Sequence, residues 1–103
     1  MRAYRERKEN MTERILQNYF KREAAKHDIL WRKIKFEGRR GCPDVMIAAK
    51  GKIKLVEIKT PSLKGKLSAL QGRQMQKFKD VGIEVKIVDS RRKVDAVIRD
   101  ILK

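Results

Sequence analysis

Gly41-Cys42-Pro43-Asp44, then Val56-Glu57-Ile58-Lys59-Thr60, are the stretches on which the reading of this chain turns. In an extended strand alternate side chains share a face, so Glu57 and Lys59 point one way with Leu55, and Val56 and Ile58 point the other. Asp44 to Ala49 and Ile53 to Lys59 are β-rich runs separated by Lys50-Gly51-Lys52, and a short glycine-centred loop between two such runs predicts a β-hairpin. Asp44 opens the partner strand and so lies across from the end that carries Glu57 and Lys59. Two carboxylates and an amine, distant in sequence, then converge on one patch of an otherwise apolar sheet.

Outward from the hairpin the periodicity changes. Ile15, Leu16, Tyr19, Phe20 and Ala24 recur at helical spacing and predict a helix over about 11–26, ending at Lys26-His27-Asp28. Residues 29–36 alternate loosely, with Leu30, Ile34 and Phe36 against Lys33 and Lys35, which suggests a strand. Gly38-Arg39-Arg40-Gly41 breaks that pattern as a basic loop, and Thr60 to Lys66 is a second loop. Ser68 opens a helix to about Val81 that Gly82 closes. Ile83 to Val88 reads as a short strand. Ser90 starts a last helix, with Val94, Val97, Ile98, Ile101 and Leu102 on one face. Residues 1–10, basic and without apolar period, are expected to be an N-terminal arm, either loose or a helical extension. The order over residues 11–103 is α-β-β-β-α-β-α, one α/β domain.

Lys and Arg total 28 against 13 acids, a formal charge of +15. Such a field attracts a polyanion, and neutralising phosphates releases counterions, so nucleic acid is the first expected partner and an anionic membrane surface the second. No apolar run approaches the roughly 18 residues of a membrane span, and the charged N-terminus lacks the apolar stretch of a signal peptide. A single cysteine, Cys42, cannot form an internal disulfide, which fits a reducing compartment. The expected location is the cytoplasm.

The converging set suits phosphodiester chemistry. A phosphodiester repels nucleophiles through its own charge, and its transition state adds more. Two carboxylates can hold Mg²⁺ or Mn²⁺, which accepts a phosphate oxygen and lowers the pKa of bound water. A lysine beside the ion supplies a positive point charge to the phosphate. The backbone carbonyl of Ile58 is a candidate extra ligand. Taken alone, Glu57-Ile58-Lys59 is as well explained by a surface ion pair, and Asp44 by a turn after Pro43; it is their placement in one register that favours chemistry.

Pro43-Asp44 followed by Glu57-Ile58-Lys59 resembles the signature of the PD-(D/E)XK nuclease superfamily, and Leu67-Ser68 with Gln71 on the next helix resembles its VRR-Nuc branch. The resemblance covers about residues 12–90. It implies a restriction-endonuclease-like αβββαβ core, a mixed central sheet flanked by helices, here with an extra C-terminal helix. It also implies Asp44 and Glu57 as metal ligands, Lys59 as the catalytic lysine, and Gln71 orienting water or the network around the site. Family members carry an acid on the first helix; Glu13 matches best, while Glu9 and Glu23 also fall inside the inward arc. The family cuts branched or four-way (Holliday) junction DNA, leaving a 5′-phosphate, and stand-alone phage and bacterial members pair into homodimers. No nucleotide cofactor is implied.

Several residues admit plainer readings. Ser68-x-x-Gln71 is also a capping box, in which Gln71 folds back on the helix start, although Gln71 shares a face with Gln74, Met75 and Phe78. His27 suits a helix-terminus contact, and one histidine with one cysteine makes no zinc site. Trp31 and Tyr19 read as packing. Arg39, Arg40, Lys50, Lys52, Lys64 and Lys66 are expected to flank the site at strand ends and contact phosphates without reading sequence. The rivals to a junction endonuclease are a basic nucleic-acid-binding module without catalysis, and a nuclease of flaps or single strands.

Overall fold

The computed structural model describes residues 12–59 and 68–103. The expected basic arm and the loop carrying Lys64 and Lys66 lie outside the described residues, as does Glu9.

Helix α1 spans Glu13–Lys26 and is capped by Thr12, whose hydroxyl accepts a hydrogen bond from the Ile15 backbone N–H at 3.1 Å. Leu16, Phe20 and Ala24, four apart, are fully buried along one stripe. The helix ends in a Schellman arrangement. Asp28 takes the left-handed conformation (φ 57), its N–H reaches Ala25 O at 3.2 Å, and the Ile29 N–H reaches Ala24 O at 3.0 Å. Ile29 is thereby tucked into the core.

Strand β1 (Leu30–Lys33) is shorter than the expected 29–36, although the Ile34 N–H still reaches Asp44 O at 3.0 Å. Strands β2 (Val45–Ala49) and β3 (Lys52–Ile58) form the expected hairpin. Lys50 and Gly51 both have positive φ (54 and 76), the turn geometry whose twist matches two antiparallel strands. Helix α2 (Ala69–Asp80) runs from Ser68 to Val81 at its caps, and Gly82 (φ 90) closes it. The same closure draws Ile83 onto Phe78 O at 2.9 Å, which is why β4 is only Lys86–Val88 rather than 83–88. Helix α3 (Arg91–Ile101), capped by Ser90, completes the domain.

The sheet order is β1-β2-β3-β4, with β4 parallel to β3 and the other pairs antiparallel. A parallel pair needs a long crossover, and α2 lies within it. Helices α1 and α3 bury one face of the sheet, where Val45, Ile47, Val56, Ile58 and Val88 meet Leu16, Phe20, Val94, Val97, Ile98 and Ile101. Each such aliphatic side chain contributes about 1.5–3 kcal/mol on leaving water. Because Val56 and Ile58 face this core, Glu57 and Lys59 must face the other side, and it is there that Gln71 of α2 meets them. Helix α2 buries no residue completely. It is held by an edge contact of Phe78 with Phe36 (ring centroids 5.8 Å apart), by Leu70 against Gly41, and by its polar contacts to the site.

Candidate active site

The register Val45↔Val56 fixes the geometry, because one step beyond it Asp44 meets the Glu57–Ile58 end of β3. There the Ile58 backbone N–H donates to Asp44 Oδ1 at 3.4 Å, so the aspartate is tied to the strand bearing the other acid. Asp44 is presented by the turn Gly41-Cys42-Pro43, in which Pro43 is buried. Gly41 has φ 80, and a Cβ there would sit 2.9 Å from Leu70 Cγ and 3.1 Å from Leu70 backbone atoms. A glycine is therefore required on two counts, and it lets α2 close onto the site.

Glu57 is the one buried charged residue among the described residues, 8% exposed. Burial, and next the charge of Asp44, push its carboxyl from 4.5 to about 7, while Lys59 and Lys33 pull it down. Glu57 Oε2 accepts a hydrogen bond from Gln71 Nε2 at 2.8 Å and lies 3.9 Å from Lys59 Nζ. Lys59 Nζ donates to Gln71 Oε1 at 2.6 Å. The same oxygen accepts from the Ser68 backbone N–H at 3.1 Å, and the Gln71 N–H donates to Ser68 Oγ at 3.1 Å. The two readings of Gln71 are thus not alternatives. Its carbonyl oxygen closes the capping box and holds the lysine, and its amide nitrogen holds the glutamate.

Glu13 opens α1, is half-buried, and its charge acts on Glu57. Glu23 pairs instead with Lys26 at 2.7 Å. Among the described residues no three His, Cys, Asp or Glu side chains are placed to hold one ion, so Glu13 does not complete a three-acid cluster with Asp44 and Glu57.

The basic residues divide. Arg39 and Arg40 are exposed on the loop that packs against α2 through Gly41 and Leu70, close to the site. Lys50 and Lys52, expected to flank the site, belong to the opposite end of the hairpin. Their register, Ala49↔Lys52, is four residue steps from Val45↔Val56, about 13 Å along the strand. Lys52 Nζ there donates to Lys103 O at 2.6 Å. A hairpin puts its turn at one end and its open strands at the other, so a turn lysine cannot share the open end.

The site also contains a residue the sequence reading passed over. Lys33 ends β1, pairs in register with Val45, and brings Nζ to 3.6 Å from Asp44 Oδ2. In sequence it is only the polar half of an alternating strand; finding it needs the β1–β2 register. The plainer readings of other residues match their surroundings. His27 is the C-cap of α1, its N–H on Ala24 O at 3.1 Å. Tyr19 donates to Asp95 Oδ1 at 2.8 Å, and Trp31 stacks edge-on with Phe20 at 5.9 Å. Cys42 Sγ lies 3.7 Å from Gln74 Oε1, with no histidine beside it.

Comparison with known proteins agrees with the fold. The VRR-NUC domain profile matches residues 3–92, a span that takes in most of the basic arm. A solved structure described as a VRR_NUC domain is 33% identical, covers 84% of this chain and 94% of its own, and superposes with a TM-score of 0.74. Among curated proteins none matches. No helix among the described residues is long and apolar enough to cross a membrane. With a mixed four-stranded sheet, the acids on its hairpin and the profile match over most of its length, the chain belongs to the VRR-NUC domain family of nuclease-type, DNA-binding modules.

Proposed function

We propose that this chain is a Mg²⁺- or Mn²⁺-dependent DNA endonuclease that hydrolyses phosphodiester bonds, selective for branched or four-way junction DNA. The observation that carries the reading is a buried carboxyl, Glu57, beside a second, Asp44, in a protein of net charge +15. Burying Glu57 where the charge of Asp44 discourages its ionisation costs folding energy, and a shared cation relieves it. The donor set fits a hard divalent ion: Asp44, Glu57 and the Ile58 carbonyl are all oxygen ligands. When bound, the ion would activate water and offset charge developing on the phosphate.

The chain's own groups then have distinct tasks. Lys59 presents an ammonium to the scissile phosphate, where it stabilises the additional negative charge of the transition state. Gln71 fixes that ammonium by one hydrogen bond and the Glu57 carboxylate by another, so the two approach the substrate in one geometry. Because Gln71 is anchored in the cap of α2, the helix start and the site are one unit. Arg39 and Arg40 border this end and hold the DNA backbone without reading bases.

Cutting a four-way junction symmetrically requires two sites, which a two-fold homodimer supplies. Leu30 and Ile53 (44% and 65% exposed) occupy the sheet face away from α1 and α3, an apolar surface that such an interface would cover. A solution mass near 12.1 kDa, that of one chain, would reject the dimer.

The deciding experiment is digestion of a four-way junction, with and without Mg²⁺, by the wild type and Lys59→Ala. Cleavage by the wild type alone, and only with the ion, supports the reading. Gel retardation without cleavage under every condition would leave a binding module. Flap, single-strand and linear duplex substrates run in parallel establish the preferred DNA form.

A further inference from the structure

We propose that Lys33 is a second phosphate-binding lysine of this site, held by Asp44 as its counter-ion until a divalent cation occupies that carboxylate and frees the ammonium for the DNA backbone. The proposal rests on the reading of Asp44 and Glu57 as an ion-binding pair, and extends it to a residue from another strand.

The geometry is a matched pair of pairs. Lys33 Nζ lies 3.6 Å from Asp44 Oδ2, and Lys59 Nζ lies 3.9 Å from Glu57 Oε2. Each acid thus has its own lysine, one ending β1 and one directly after β3, on either side of the strand β2 that Asp44 precedes. The charge of Lys33 is felt as far as Glu57, so the two pairs form one electrostatic group. They differ in exposure. The side chain of Lys59 is 14% exposed and pinned by Gln71, whereas that of Lys33 is 51% exposed and makes no other ion pair among the described residues. A half-exposed pair of this kind adds little to stability. Its contribution must be sought in binding.

An ammonium and a divalent cation cannot both sit on Asp44 without repelling each other. An ion held by Asp44 would therefore weaken the hold on the lysine, whose long flexible stem lets its charge move to the nearest new anion. With DNA at the site, that anion is a backbone phosphate. Lys33 thereby opposes ion binding in the free protein and assists DNA binding once the ion is present.

The test uses the full chain with Lys33→Met, Lys33→Arg and Asp44→Asn. Free Mn²⁺ is titrated by electron paramagnetic resonance without DNA, and binding of a four-way junction is measured at several salt concentrations in Ca²⁺ and in EDTA. Lys33→Met should tighten Mn²⁺ binding several-fold, weaken junction binding in Ca²⁺, and lower the magnitude of its salt slope by about one. In EDTA the junction affinity should change little, and Lys33→Arg should restore the slope. Unchanged Mn²⁺ affinity, or an unchanged slope in Ca²⁺, overturns the assignment. Asp44→Asn separates the two levels: if it abolishes Mn²⁺ binding while Lys33→Met alters nothing, only the role of Lys33 falls. If Asp44→Asn binds Mn²⁺ as the wild type does, the ion-binding pair itself has failed and Lys33 with it.

Discussion

Replacing Glu57 by glutamine should make the metal-free protein more stable at pH 8 and leave it nearly unchanged at pH 4.5. In the folded chain the Glu57 carboxyl is pushed from 4.5 to about 7, first by burial and then by Asp44. An acid of raised folded-state pKa stays protonated in the native protein while the unfolded chain releases its proton. The native state therefore binds more protons between pH 4.5 and about 7, and stability falls across that window as pH rises. Above it the full penalty is present: roughly 2.5 pH units at about 1.4 kcal/mol each, or about 3.5 kcal/mol. Glutamine cannot ionise, yet its oxygen can still accept the 2.8 Å hydrogen bond from Gln71 Nε2. Urea unfolding in EDTA should give coincident wild-type and Glu57→Gln curves at pH 4.5 and a gap of about 3.5 kcal/mol at pH 8, on the order of 10–20 °C in Tm for a domain of this size. Addition of Mg²⁺ should then stabilise the wild type and not the variant, narrowing the gap. A gap independent of pH, or a wild type at least as stable as the variant at pH 8, would show that ionised Glu57 carries no such penalty in the fold.

Other substitutions test the scaffold. A Cβ at Gly72, inside α2, would meet nothing within 4 Å among the described residues, so Gly72→Ala should gain about 1 kcal/mol from helix propensity, read as a Tm rise of roughly 4–8 °C. Gly41→Ala should do the reverse and lose about 2 kcal/mol or more, because it combines φ 80 with a clash against Leu70; by displacing α2 from the site it should lower cleavage more than DNA binding. Tyr19→Phe removes the 2.8 Å hydrogen bond to Asp95 and should cost about 1 kcal/mol by urea unfolding. The Tyr19 phenol itself, pushed up to about 12 mainly by burial, should show no ultraviolet ionisation step below pH 11.

The hairpin, the helices and the acid–acid–lysine set were legible in the sequence because each rests on local chemistry. Lys50-Gly51 marks a tight turn, Ser68 and Gly82 bracket a helix, and alternation along Val56-Glu57-Ile58-Lys59 assigns faces. Strand ends were less legible. β4 loses Ile83 because the N–H of that residue satisfies Phe78 O in the helix terminus, a competition that apolar patterning does not encode. Lys33 was missed, and Lys50 and Lys52 were misplaced, for one shared reason. Which residue stands across from Asp44, and which end of the hairpin it occupies, is a matter of inter-strand register. The choice between cap and site for Gln71 could not be made from sequence because the side chain has two ends, and the structure uses both.

Whether Asp44 and Glu57 share one ion is read from an anomalous-difference map of a wild-type crystal soaked in Mn²⁺. An ion shared by the two acids gives one strong peak bonded to carboxylate oxygens of both Asp44 and Glu57, with the Ile58 carbonyl completing the protein ligands. A peak that touches only one of the two acids, or none at the hairpin end under saturating Mn²⁺, would contradict that sharing.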